Sequence, residues 1–305
     1  MSVANATAAS VPSGIRIWLM AARIRTLPAA VAPVLVGTAL AGYGHVFHPL
    51  RFIAALIGAI FIQVGTNLSN DYSDARRGAD TEDRLGPVRV TAGGLVPPRR
   101  VLVATYISFG VAVAAGIYLM AVAGWELLLV GAASILAGVL YTGGPRPYGY
   151  EGLGEVFVFL FFGIVAVVGS YFVQVSHVRL VAFALAVPVG MLAAAILVVN
   201  NCRDIESDRR AGKRTLAVRI GRDRTRTLFA LLIYGAYLLA PVSWLFGPLS
   251  AWLMLPWLTL PVAVPLVRIV RNRSDGASLN AALARTGMLQ LAFCLLLAAG
   301  ELLSR

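Results

Sequence analysis

Nine apolar runs constrain this chain more than any other feature. They cover residues 27–44, 52–69, 101–122, 126–142, 155–175, 180–199, 228–246, 249–268 and 284–303. A helix needs about 20 such residues to cross a bilayer. Backbone polar groups in lipid must pair within their own segment, so helices are the expected form. Composition agrees, with 59% hydrophobic and 13% charged residues against about 25% charged in an average soluble domain. The runs predict an all-α fold, a polytopic membrane bundle of about nine transmembrane helices. The pair between 228 and 268 is separated only by FGPLS.

Charge orients the bundle. The net charge is +12, and Lys213 is the sole lysine among 26 basic residues. Of these, 23 fall on one side of the predicted spans; Arg51, Arg179 and Arg305 fall on the other. The positive-inside rule then places the N-terminus and the basic loops in the cytoplasm of a cell-membrane protein, with the C-terminus outside. The basic residues follow the sidedness of a lipid bilayer, and no nucleic-acid partner is expected.

Residues 1–14 are expected to be a disordered tail, and 15–305 a single transmembrane domain. A cleaved signal peptide is not expected, because the first apolar run begins only after Arg16, Arg23 and Arg25. IRIWLMAARIR, residues 15–25, suits either a helix lying in the membrane surface or a plain extension of the first span. Cys202 and Cys294 fall at a cytoplasmic loop and inside a late span, so no disulfide is expected.

The acids are concentrated. NDYSDARRGADTEDRLGPVR, from Asn70, follows the second run, and NNCRDIESDRRAGKRTLAVRIG, from Asn200, follows the sixth. Together they hold 8 of the 14 acids. Both open with asparagine, carry spaced aspartates and continue into arginines, in the manner of a weak internal repeat with a site between its halves. If the helices continue into these stretches, Asn67, Asp71 and Asp74 share one face, as do Asn201, Asp204 and Asp208. Carboxylates so close repel, so something positive belongs between them: arginine, or a hard divalent cation. Mg²⁺ takes oxygen ligands, usually one or two carboxylates plus substrate phosphate oxygens. Two such faces could hold two Mg²⁺ ions and clamp a diphosphate. The flanking Arg84, Arg89, Lys213 and Arg214 suit phosphate oxygens, although any one arginine can also be a solvated cytoplasmic charge. A third stretch, YTGGPRPYGYEGLGE (141–155), joins the fourth and fifth runs and leads into the aromatic run VFVFLFFG. Aromatic faces can line a lipid channel or stabilise a cation, or simply face lipid.

These four stretches, in this order at these helix ends, resemble the UbiA superfamily of intramembrane aromatic prenyltransferases, and within it the branch that prenylates 1,4-dihydroxy-2-naphthoate. The resemblance covers nearly all of the chain after residue 15. It implies a helical bundle around a central cavity, with two aspartate-rich motifs binding Mg²⁺ and the diphosphate of a polyprenyl donor. Carried onto this chain, the first motif gives Asn67, Asn70, Asp71 and Asp74, and the second Asn201, Asp204 and Asp208. Asp71, Asp74, Asp204 and Asp208 are the expected metal ligands. The general family pattern places a third acid where this chain has Gly78; here the next acid is Asp80, a spacing similar to the naphthoate branch. Arg84 and Arg89 are the expected diphosphate contacts from the first loop, and Lys213 and Arg214 from the second. Tyr141 and Tyr148 are expected to face a carbocation or the acceptor, and Arg146 to hold the acceptor carboxylate or the diphosphate.

Other readings are weaker. An ion-coupled transporter would put its ionisable groups near the bilayer midplane, whereas these sit at helix ends. A CDP-alcohol phosphotransferase would carry one compact aspartate motif, which is absent from this sequence. Within the resembled family, a hydroxybenzoate, homogentisate, haem or chlorophyll precursor is an alternative acceptor.

Overall fold

The computed structural model describes residues 14–79, 85–247 and 250–304. The expected tail, together with Asp80, Glu82, Asp83 and Arg84, lies outside the described residues, apart from Gly14. The regular elements among those residues are helices: α1 (Gly14–Ala22), α2 (Pro28–Tyr43), α3 (Pro49–Arg76), α4 (Pro98–Ala123) and α5 (Glu126–Leu140) come first. After them come α6 (Gly154–Val175), α7 (Leu180–Arg210), the short α8 (Leu216–Ile220), α9 (Arg222–Phe246), α10 (Ala251–Asn272) and α11 (Gly276–Leu303). Among the described residues all nine apolar runs fall on helices, and seven helices are long and apolar enough to span a membrane by themselves. An eighth arises if α1 and α2 act together as one broken span, bent by 51°. Helix α5 has only 15 residues, or roughly 22 Å of rise.

Residues 15–25 fall on α1 and the break that follows it, with Ile15, Trp18 and Leu19 exposed, and both a surface helix and a bent extension of the first span fit that geometry. The end of α1 is Arg23, held at φ 52° in the left-handed region, a conformation that costs a non-glycine residue about 1–3 kcal/mol. Surrounding bonds hold it there. Asn67 Nδ2 donates to the Ala22 carbonyl at 3.0 Å, and Thr26 Oγ1 donates to the Arg23 carbonyl at 2.9 Å.

The main core gathers α2, α6, α7, α9, α10 and α11 around α7, the most enclosed of the spans. Gly163 and Gly190 let α6 and α7 meet backbone to backbone: a Cβ on Gly163 would lie 2.5 Å from Gly190 Cα. At that point α6 carries a π-helical stretch, Phe159–Val165. Such wide turns are frequent at functional sites. A smaller cluster of Ala21, Leu68, Val90, Val96 and Val101 anchors the segment between α3 and α4. As the apolar-then-acidic pattern anticipates, α3 and α7 run unbroken from the membrane core into both aspartate motifs.

Candidate active site

A cavity of about 370 Å³ lies between α3, α4, α5, α6 and α7. Its inner wall is apolar and built of small side chains, among them Gly58, Ala59, Gly116, Gly131, Ala166 and Gly169. Along α5 it reaches from Leu127 to Tyr141, about 20 Å of helix rise. Its polar end is formed where α3 and α7 leave the apolar zone.

At that end Asp74 is the point of convergence. It is 1% exposed. Its Oδ2 accepts from Arg89 Nη2 at 3.3 Å and from Lys213 Nζ at 3.2 Å, and its Oδ1 accepts from the Tyr150 hydroxyl at 2.7 Å. Lys213 also lies 4.8 Å from the Tyr150 ring centroid. The two motifs therefore meet, because Lys213 follows the second motif and reaches an aspartate of the first. Across the opening, Asp204 and Asp208 line the cavity with Asn70, Asn200 and Asn201. Asp204 is gripped from behind by Arg203, whose Nε and Nη2 lie 2.7 and 2.5 Å from its two oxygens. Asn70 Oδ1 accepts from Thr142 Oγ1 at 2.9 Å, and Asp208 is approached by the Thr215 hydroxyl at 3.5 Å.

Several of the expected site residues lie elsewhere in the structure. Asp71 does not line the cavity: it is turned toward the segment after α3, where its oxygens accept from the backbone amides of Val90 at 3.1 Å and Thr91 at 2.9 Å. The face that α3 presents is Asn67, Asn70 and Asp74. Asn67 spends its amide on the α1–α2 junction. Arg146 is exposed and outside the cavity lining, held between Pro145 and Pro147 in a solvent-facing turn. Arg214 is also exposed; Gly212 at φ 73° turns the chain so that Lys213 points inward and Arg214 outward. Arg89, Lys213, Asn201, Asp204 and Asp208 do line the cavity, as do Tyr141 and Tyr148.

The aromatic wall is continuous. Tyr148 stacks on Phe157 at 4.0 Å, Phe157 faces Phe161 at 6.1 Å, and the Tyr141 ring meets Tyr148 edge-on at 5.5 Å. The Tyr148 hydroxyl donates to the Ala137 carbonyl at 2.9 Å, and burial pushes its phenol far above its ordinary value. Tyr148 thus offers the cavity a neutral ring face.

Three lining or supporting residues escape sequence reasoning. Tyr150 sits two positions after Tyr148 in the same loop, and nothing local marks which of the two reaches an aspartate. Arg23 lines the cavity beside Thr26, Gln63 and Asn67, on a helix break with no glycine to announce it. Glu155 is buried, with one oxygen accepting from Asn201 Nδ2 at 2.9 Å, so it turns the Asn201 carbonyl oxygen away from itself.

Every donor at the polar end that could meet a cation is an oxygen. Among the described residues no three acidic, histidine or cysteine side chains form a closed cage. Oxygen is the donor that Mg²⁺ takes, usually from one or two carboxylates together with substrate phosphate.

Comparison with known proteins supplies the family. The model of the UbiA prenyltransferase family matches residues 30–298. The 1,4-dihydroxy-2-naphthoate octaprenyltransferase of Mycobacterium tuberculosis is 42% identical over 92% of this chain and 95% of its own. The Escherichia coli protein of the same name is 40% identical over 88% of this chain and 89% of its own. The solved structure of a UbiA homolog from Archaeoglobus fulgidus bound to GPP and Mg²⁺ shares the fold, with a TM-score of 0.63, 15% identity, and cover of 92% of this chain and 99% of that one. A membrane-spanning helical bundle with its two aspartate-bearing helices converging on one cavity is thus accounted for by descent: the chain belongs to the UbiA prenyltransferase family.

Proposed function

We propose that this protein transfers a polyprenyl group from its allylic diphosphate to 1,4-dihydroxy-2-naphthoate, releasing diphosphate and CO₂ and giving a demethylmenaquinol. The observation that carries this reading is the cavity itself. It joins a carboxylate-and-cation end, fit for a diphosphate, to a long apolar wall fit for an isoprenoid, beside an arginine fit for an acceptor carboxylate. The names and coverage of the relatives support the same acceptor.

Asp74, Asp204 and Asp208, with the amide oxygens of Asn70 and Asn201, would hold Mg²⁺, and the metal would stabilise the charge growing on the leaving diphosphate. Arg89 and Lys213 share Asp74 and are placed to transfer part of their bonding to phosphate oxygens. The allylic C–O bond breaks with its electron pair going to the diphosphate. The faces of Tyr141, Tyr148, Phe157 and Phe161 stabilise the resulting cation, and the apolar wall keeps water from it. Arg23 receives the acceptor carboxylate, aided by Thr26 and Gln63. The ring carbon bearing that carboxylate attacks the allylic carbon. Its bond to the carboxylate carbon then breaks, the electron pair returns to the ring, and CO₂ leaves. The basic loops support a cytoplasmic position for this end of the cavity, in the cell membrane.

The test is incubation of the purified protein with dihydroxynaphthoate, a polyprenyl diphosphate and Mg²⁺, with and without EDTA, followed by mass spectrometry. A metal-dependent product lacking the carboxylate supports the reading. Prenylation of hydroxybenzoate or homogentisate instead would keep the mechanism and replace the acceptor.

A further inference from the structure

Asn280 belongs to neither motif and touches no part of the cavity, yet it connects the two sides of the site. It lies half-buried in the first turns of α11. Its Oδ1 accepts from Arg203 Nη1 at 2.5 Å, and its Nδ2 donates to the Leu85 carbonyl at 2.8 Å. Both ends are chemically unambiguous: a guanidinium only donates and a carbonyl only accepts, so the amide has one possible orientation.

What lies beyond each bond gives the amide its importance. Arg203 is 2% exposed and holds both oxygens of Asp204 with its remaining donors, while Nη2 also reaches Asn200 Oδ1 at 2.9 Å. Leu85 opens the segment whose Arg89 bonds Asp74 and whose Val90 and Thr91 amides bond Asp71. Residues 90–96 have their own anchor in the cluster around Val90 and Val96. Leu85 itself is 47% exposed. Besides Asn280, it rests on Gly276, where a Cβ would come within 3.1 Å of its own Cβ.

We propose that Asn280 is a positioning residue for prenyl transfer. It fixes Arg203 behind Asp204 and the 85–89 strand of chain beside Asp74 at once, and so sets the spacing of the two aspartates across the mouth. The catalytic half of this inference rests on the function proposed above; the tether itself does not.

Asn280→Leu removes both bonds, and Asn280→Asp keeps the acceptor for Arg203 but sets a carboxylate against the Leu85 carbonyl. Hydrogen–deuterium exchange of the full-length protein in detergent should rise over 85–89 in both variants, while residues 200–208 lose protection only in Asn280→Leu. The KM for polyprenyl diphosphate should rise about tenfold in both, as for one lost charge-assisted or well-formed bond at a positioned group, with kcat within about threefold. Unchanged exchange over 85–89 in both variants would overturn the tether. Raised exchange with an unchanged KM would overturn the positioning role. A wild-type protein with no prenyltransferase activity would sink the functional reading, and the exchange data would still decide the tether.

Discussion

Asp71 and Asp74 stand three residues apart in one motif, yet the structure gives them different work, and Asp71→Asn separates the two. The Asp71 carboxylate accepts two backbone amides, Val90 at 3.1 Å and Thr91 at 2.9 Å. Asparagine offers one carbonyl oxygen and one NH₂, so one amide keeps an acceptor and the other meets a donor. Losing a charge-assisted bond and stranding a buried N–H costs about 2–4 kcal/mol locally. That corresponds to roughly thirty- to a thousandfold in the opening equilibrium of the segment. Exchange at Val90 and Thr91 should accelerate by this order. Turnover should fall, through loosening of Arg89, but remain measurable, and the Mg²⁺ concentration for half-activation should stay near wild type. Asp74→Asn should do the reverse, leaving the exchange of 90–91 almost unchanged and reducing turnover to background. If Asp71→Asn instead shifts the Mg²⁺ requirement while Val90 and Thr91 stay protected, Asp71 is a ligand and the assignment is wrong.

Arg23→Leu should raise the KM for dihydroxynaphthoate by about tenfold or more, the loss of a charged hydrogen bond, whereas Arg146→Ala should leave both KM values within about twofold; steady-state kinetics with each substrate varied will show it. Asp275 caps α11, its carboxylate accepting from the Ser278 amide at 2.8 Å, and this bond holds its pKa below the ordinary value. A lowered folded-state pKa stabilises above the unfolded value and is lost as pH falls through the folded one. Exchange in the first turn of α11 should therefore rise as acid is added below the usual carboxylate range, and Asp275→Asn should flatten that dependence.

The helices were legible because a run of apolar residues has one stable form in lipid. Their lengths were less so: α5 looked like an ordinary span, but it ends at Leu140, before the glycine-rich turn. On α3 the sequence could not tell which aspartate faces inward. Asn67 with Asp71 and Asn67 with Asn70 are both neighbouring pairs on a helix surface. The choice is made by the 85–97 segment folding back onto Asp71, a contact between residues 19 and 20 positions apart. Lys213 and Arg214 were indistinguishable for a similar reason. They are adjacent in a turn, and it is the backbone path after the left-handed Gly212 that leaves Lys213 buried and Arg214 exposed. The partnership of Arg203, Asn280 and Leu85 spans 195 positions and leaves no local trace.

The ion pairs at the mouth also bear on the order in which ligands arrive. Asp74 is already shared by Arg89 and Lys213, and Asp204 by Arg203. Fixed cations thus compensate these two acids before any ligand enters. A bare divalent ion approaching such a pocket must compete with them and gains little electrostatic attraction. A diphosphate changes the balance, because its oxygens give Arg89 and Lys213 an alternative partner and leave Asp74 to the metal. Under the proposed function, such a pocket would favour metal and diphosphate as a joint cargo over either alone, and Mg²⁺ would not lock it in the absence of donor.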